Sequence, residues 1–306
     1  MHIPDSMLLG SICPVTAIIS AVGIIAGSYY ALNAKNKPTA SYFGAITALI
    51  FAGQMMNFPI MNGTSGHLLG GVLAASLLGT PFGILAMALV VSIQSLVFSD
   101  GGITVLGANI FNMAIIGAGA GGMIRSKLAR QWKTTLGAFA ATAVAAWLSV
   151  ILASLAVSVE LAMDGQIAFS TVAPAMLSTH ALIGIGEAII IVVCCLLFPA
   201  PVHSSVATET KKQVAVPLTA AVLVALLFSP FASKFPDGLE GVAEKYEFMH
   251  ASAPAFVAPL SDYAFPWLSN EMLSMSIAGL IGVILAYGVA WSVSRIMQMI
   301  PTKNIV

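Results

Sequence analysis

Long apolar stretches broken by short polar punctuation constrain this chain more than any single motif does. A bilayer-crossing helix needs about 20 mostly apolar residues, and nine stretches qualify as candidates, at 7–32, 40–56, 67–80, 82–98, 106–124, 135–159, 174–198, 214–230 and 271–297. The third is short and Gly-rich and reads as a tilted or partly inserted helix. With 58% hydrophobic and only 8% charged residues, against roughly 25% charged in ordinary soluble domains, the expected fold is an all-α integral membrane protein embedded in a lipid bilayer. Glycines at helix-packing spacing, Gly23 and Gly27, Gly66 and Gly70, and Gly117 and Gly121, would let helix backbones approach closely.

Charge excludes one class and orients the chain. Twelve Lys plus Arg balance twelve Asp plus Glu, so there is no basic face for nucleic acid. Cytoplasmic loops are enriched in Lys and Arg. An outside N-terminus with nine spans places Lys35, Lys37, Arg125, Lys127, Arg130, Lys133, Lys211, Lys212, Arg295 and Lys303 inside, leaving Lys234 and Lys245 outside. The C-terminus is then cytoplasmic. Asp5, Asp100, Glu160, Asp164, Asp237, Glu240, Glu244, Glu247, Asp262 and Glu271 fall outside, an acidic face suited to collecting cations.

The start of the chain lacks the positive n-region of a signal peptide, and the bulky His2 disfavours removal of Met1, so the mature protein is expected to begin Met-His with a free amine. Cys13, Cys194 and Cys195 lie in apolar runs and fit neither a disulfide framework nor a four-thiolate zinc site. A break at 199–213 reads as a cytoplasmic linker. It divides residues 1–213, with about seven spans, from 214–306, with two spans and a polar, Pro-rich outer loop at 231–270.

Five histidines, His2, His67, His180, His203 and His250, are the candidates for chemistry. A free α-amine, the residue-2 amide nitrogen and His2 Nδ1 can close five- and six-membered chelate rings around one ion. Three corners of a square result, a geometry that favours Ni(II) or Cu(II). His67, at the outer end of the third span, could supply the fourth. The residues equally admit a plainer reading, in which His2 is an exposed terminal residue and His67 a helix-end cap. His203 and His250 lie in polar loops and read as solvated. His180 and Glu187, seven apart, share a helix face, and an ionisable group in a span is a functional candidate by default. Glu187 could balance charge, orient a ligand or bond between helices. Asn109, ending the loop Asp100-Gly101-Gly102-Ile103-Thr104-Val105-Leu106-Gly107-Ala108-Asn109, could hold a ligand-bearing loop. No G-x-x-x-x-G-K-[ST] occurs, so any ATP hydrolysis would fall to partners.

Met1-His2-Ile3, Ser65-Gly66-His67, Asp100 through Asn109 and His180 through Glu187 together resemble the substrate-binding membrane (S) subunit of energy-coupling factor transporters for nickel and cobalt. The resemblance covers about residues 1–200, while 230–300, with Pro236-Asp237-Gly238-Leu239-Glu240, looks like the two-span PDGLE-type accessory component of those systems. One departure is Asp5-Ser6, where many relatives have an acid-Gly pair. What the resemblance implies is capture of Ni2+ or Co2+ as cargo by Met1, His2 and His67 in the cell's inner (plasma) membrane, with no enzyme activity and no organic cofactor. Ser65, Asn109, His180 and Glu187 would support the donors. A transmembrane coupling (T) subunit and two cytoplasmic ATPase subunits would be the partners. On this reading residues 214–306 lie beyond a complete ligand set. The competing classes are an intramembrane metalloenzyme, which would need a base and an open coordination position, and a gradient-driven metal carrier, usually built from inverted repeats.

Overall fold

The computed structural model describes residues 1–198, 211–249 and 256–300; His203, His250, Lys303 and most of the expected linker lie outside them. The regular structure among the described residues is helical apart from a two-residue antiparallel pair, β1 Phe58–Pro59 with β2 Ser65–Gly66, in register Phe58 to Gly66 and Pro59 to Ser65. Among the described residues, seven helices are long and apolar enough to cross a membrane. They are α1 Ile12–Leu32, α4 Thr80–Phe98, α5 Leu106–Gln131, α6 Thr135–Met163, α7 Phe169–Leu197, α8 Lys211–Phe231 and α10 Glu271–Met299. Three shorter helices complete the set: α2 Ala40–Gln54, α3 Gly71–Leu78 and the polar α9 Gly238–Lys245.

Two of the nine stretches expected from sequence are therefore too short to count as full-length spans. The second is the 15-residue α2, about 22 Å long at 1.5 Å per residue. It does not face lipid: Phe43, Ile46, Ile50 and Phe51 are all fully buried, and α8 and α10 pack against it. Backbone at membrane depth is tolerated when protein surrounds it, so shielding by the C-terminal helices permits the short length. The third is helical only over its eight residues Gly71–Leu78, bounded by Gly70 and Gly79, whose φ of 81° and 84° interrupt the helix at both ends, while Glu187 on α7 accepts from the N–H groups of Leu69 and Gly70 just before it.

A lipid-like face is plain on α1, where Ile18, Val22, Ile25 and Tyr29 recur at helical spacing and are all more than half exposed. The opposite case is Glu160. Sequence places it among the outer acids, and in the last turn of α6, which runs to Met163, it is buried between helices, 3% exposed, with Asn112 Nδ2 donating to it at 2.8 Å.

The polar loops converge at one end of the bundle. Asp164 accepts from Leu9 N and Gly10 N, Asp5 accepts from Thr104 N and Oγ1, and Ser233 N donates to Asn57 O. The turn at Asp5-Ser6 closes through Met7 N to Pro4 O at 3.1 Å, with neither residue in the left-handed region, so it needs no glycine there.

Close helix approach depends on missing side chains. A Cβ at Gly83 would lie 2.7 Å from Ala75 N and 2.9 Å from Ala75 Cα, a backbone that cannot step aside. Gly83→Ala should destabilise the α3–α4 hairpin by roughly 1–3 kcal/mol. A lowered melting temperature of the purified protein in detergent, with metal affinity retained by the folded fraction, is the expected result.

Candidate metal centre

The N-terminal segment enters the bundle without regular secondary structure and is fastened at Ile3. Asn109 on α5 clasps one peptide group twice: Ile3 N donates to Asn109 Oδ1 at 2.8 Å, and Asn109 Nδ2 donates to Ile3 O at 3.0 Å. From the loop before α5, Gly102 N donates to the same Ile3 O at 2.9 Å. That approach needs glycine, since a Cβ at Gly102 would overlap Asp5. Ile3 is fully buried, so it anchors the two residues ahead of it.

Met1 and His2 are consequently buried, at 5% and 8% exposure, beside His67 at 8%. The Met1 amine is in direct contact with His67 Nε2, and the His2 and His67 rings stack with centroids 5.1 Å apart at 18°. His67 Nδ1 donates to Leu68 O at 3.0 Å, which leaves the Nε2 lone pair directed at the amine. Glu187 fixes the backbone beneath this ring, Oε2 accepting from Leu69 N at 2.6 Å and Oε1 from Gly70 N at 3.1 Å. It acts on the His67 loop through backbone, with both oxygens engaged.

His180 donates from Nδ1 to Met176 O at 2.8 Å and lines a small cavity shared with Met1, His67, Glu187 and Gly238. Ser65 points elsewhere: its hydroxyl donates to Phe235 O at 2.8 Å and its N–H to Pro236 O at 2.8 Å, tying the loop to the C-terminal segment.

Four participants come from outside the residues singled out by sequence as site residues. Asp237 Oδ2 lies 2.6 Å from the Met1 ammonium and 3.7 Å from His67 Nε2. Burial pushes this carboxyl up, but the Met1 ammonium and the adjacent His67 outweigh it and hold it well below the ordinary value. Thus residues 214–306, which sequence places beyond the ligand set, reach the centre of it. The other three surround His2. Its Nδ1 lies 3.1 Å from Asp100 Oδ1 and its Nε2 3.0 Å from Gln94 Oε1, while Tyr263 Oη donates to Asp100 Oδ2 at 2.6 Å. A neutral imidazole has one N–H to give, so it satisfies Asp100 or Gln94 but not both. Gln94 gave a sequence signal as an amide in an apolar stretch, and it faces inward where the last turn of α4 is π-wound over Gln94–Phe98. Asp237 carried a signal only as part of the Pro236-Asp237-Gly238-Leu239-Glu240 motif of the accessory component, and Tyr263 had none, because their role here depends on which loop lies across them.

Comparison with known proteins agrees with this architecture. Residues 2–202 match the family model described as the cobalt uptake substrate-specific transmembrane region, and residues 211–299 match the PDGLE domain. The chain belongs to the cobalt-uptake transmembrane family. A relative in Archaeoglobus fulgidus, whose name NikMN denotes a fused nickel transport protein, is 35% identical over 307 residues, covering 96% of this chain and 98% of its own. Two crystal structures of transition metal transporters, one truncated, superpose with TM-scores of 0.56 and 0.57 at 29% and 27% identity. Each covers 64% of this chain, and 97% and 91% of its own chain respectively. As a member of the cobalt-uptake family, this chain is a multi-pass membrane component of a nickel or cobalt uptake transporter and not an enzyme.

Burial is the main influence on His2 and pushes its imidazole down to about 4 from 6.5, against an upward pull from Asp100. The unfolded chain takes up this proton first, so the contribution of His2 to stability is lost as pH falls from about 6.5 through about 4. Histidine NMR of the metal-free protein should show the His2 ring titrating near pH 4.

Proposed function

We propose that this chain is the ion-capturing S subunit of an energy-coupling factor transporter, with Ni2+ favoured as cargo and Co2+ accepted. Residues 1–213 form the capturing unit and 214–306 the fused accessory unit. The observation that carries the reading is the contact between the Met1 amine and the His67 Nε2 lone pair, two neutral-capable nitrogen donors buried beside the His2 ring. Met1 N, the deprotonated His2 amide nitrogen, His2 Nδ1 and His67 Nε2 make four nitrogen corners, the arrangement that suits square-planar Ni(II). For Nδ1 to bind, His2 must keep its proton on Nε2, and Gln94 Oε1 stands where it accepts that proton. Asp100 holds the competing tautomer and must release it. Asn109 aligns the N-terminal segment and Glu187 the His67 loop, so both act on the donors through backbone.

The N-terminus lies outside and the C-terminus in the cytoplasm, with the chain changing side nine times by way of α2 and the short α3. Convergence of residues 1–10, 57–66, 99–105, 160–166 and 229–249 at one end of the bundle supports this, since the charge count assigns all of them to the outer face. Release of the ion inward is driven by a transmembrane coupling subunit and a pair of ATPases, because no phosphate-cradling loop occurs in this sequence.

Calorimetric titration with nickel tests the donor set. His67→Ala should abolish tight binding while the protein remains folded, and unchanged affinity would remove His67 from the site. An extra residue ahead of Met1 converts the amine into an amide and breaks the first chelate ring. Tight binding and the square-planar Ni(II) absorption band should both be lost; an extended protein with native affinity and spectrum would exclude the amine as a ligand. Co-purification of ATPase subunits from the native membrane separates this transporter class from the alternatives.

A further inference from the structure

The five residues Pro236-Asp237-Gly238-Leu239-Glu240 form a rigid mount for one carboxylate oxygen. Asp237 is the N-cap of α9: its Oδ1 accepts from Leu239 N at 2.8 Å and from Glu240 N at 2.9 Å, and Glu240 Oε2 returns the favour to Asp237 N at 3.0 Å. Pro236 O is held by Ser65 N, two residues before His67. Leu239 is fully buried and pins the turn. Residue 238 must lack a side chain, because a Cβ there would lie 2.6 Å from Ile183 Cδ1 and 3.0 Å from His180 Cε1. With Oδ1 committed to the helix, Oδ2 is left facing the Met1 ammonium at 2.6 Å and His67 Nε2 at 3.7 Å.

We propose that Asp237 is the counter-ion of the metal site, a residue of the C-terminal segment that neutralises the bound cation without coordinating it and so sets the charge the site accepts. The inference rests on the donor set proposed above. Among the proposed donors only the amide nitrogen brings a negative charge: the two imidazoles are neutral and the amine is neutral once bound to metal. An empty site with its ammonium and a filled site with one divalent ion and one amide anion each carry a single net positive charge. One carboxylate balances either state, so the ion can replace the ammonium without leaving a buried charge unmatched. The oxygen that caps α9 keeps Asp237 in place during the exchange.

Asp237→Asn separates charge from structure, because Asn is as good an N-cap as Asp and is nearly isosteric. Calorimetry on the full-length protein should give nickel binding weaker by on the order of tenfold or more, as expected when one partner of a buried charge pair is neutralised. At saturating nickel the square-planar band should be unchanged. Affinity within about twofold of the native value would overturn the proposal, and so would a displaced band, which would make Asp237 a ligand. Glu244→Gln removes a charge from an exposed position on the same helix α9, and its affinity should stay native; a loss matching that of Asp237→Asn would assign the effect to the general field and overturn the proposal. His67→Ala, measured alongside, isolates the failures. If it binds nickel normally, the donor set is wrong; if it loses nickel while Asp237→Asn binds normally, only the counter-ion role is wrong.

Discussion

A charged amino terminus buried at the end of an apolar bundle is tolerable only if it is paired, and the pairing between Met1 and Asp237 organises much of what surrounds it. The ammonium sits at the first residue of the chain and the carboxylate 236 residues later, so this ion pair joins the start of the sequence to its C-terminal segment. To bring them together, the N-terminal segment must be threaded under the loop before α5, and the segment after α8 must fold back over β2. Asn109 and Gly102 accomplish the first, and the bonds of Ser65 to Phe235 and Pro236 the second.

Around this knot, polar groups work in pairs of an anion and a backbone. Glu187 holds the loop after His67, Asp164 holds the start of α1, Asp5 holds Thr104, and Asp237 holds α9. Used in this way, acids fix backbone segments around the buried Met1, His2 and His67 nitrogens. The low-lying His2 imidazole follows from the same packing, since burial disfavours its charged form and leaves it neutral.

The C-terminal segment does more than append two helices. α8 and α10 cover α2, Tyr263 fixes Asp100 behind His2, and Asp237 faces Met1. A fused arrangement guarantees these contacts in every molecule, because the linked segments stay at high effective concentration relative to one another.

Sequence by itself determined that the chain is helical and membrane-embedded, and it singled out Met1, His2 and His67, because apolar run length and the chemistry of a free amine next to histidine are local properties. It also marked Asn109 and Glu187 as polar groups in apolar surroundings without saying what they bind. Tertiary structure decided the rest. Shielding by α8 and α10 permits the short α2, and Glu187 holds the turn at Leu69 and Gly70 from which α3 starts. The inward turn of Glu160 depends on Asn112 across the α5–α6 contact. Asp237 and Tyr263 enter the site only through contacts spanning more than 160 residues. No local pattern encodes such pairings, because the energy that selects them arises only when distant segments exclude water together.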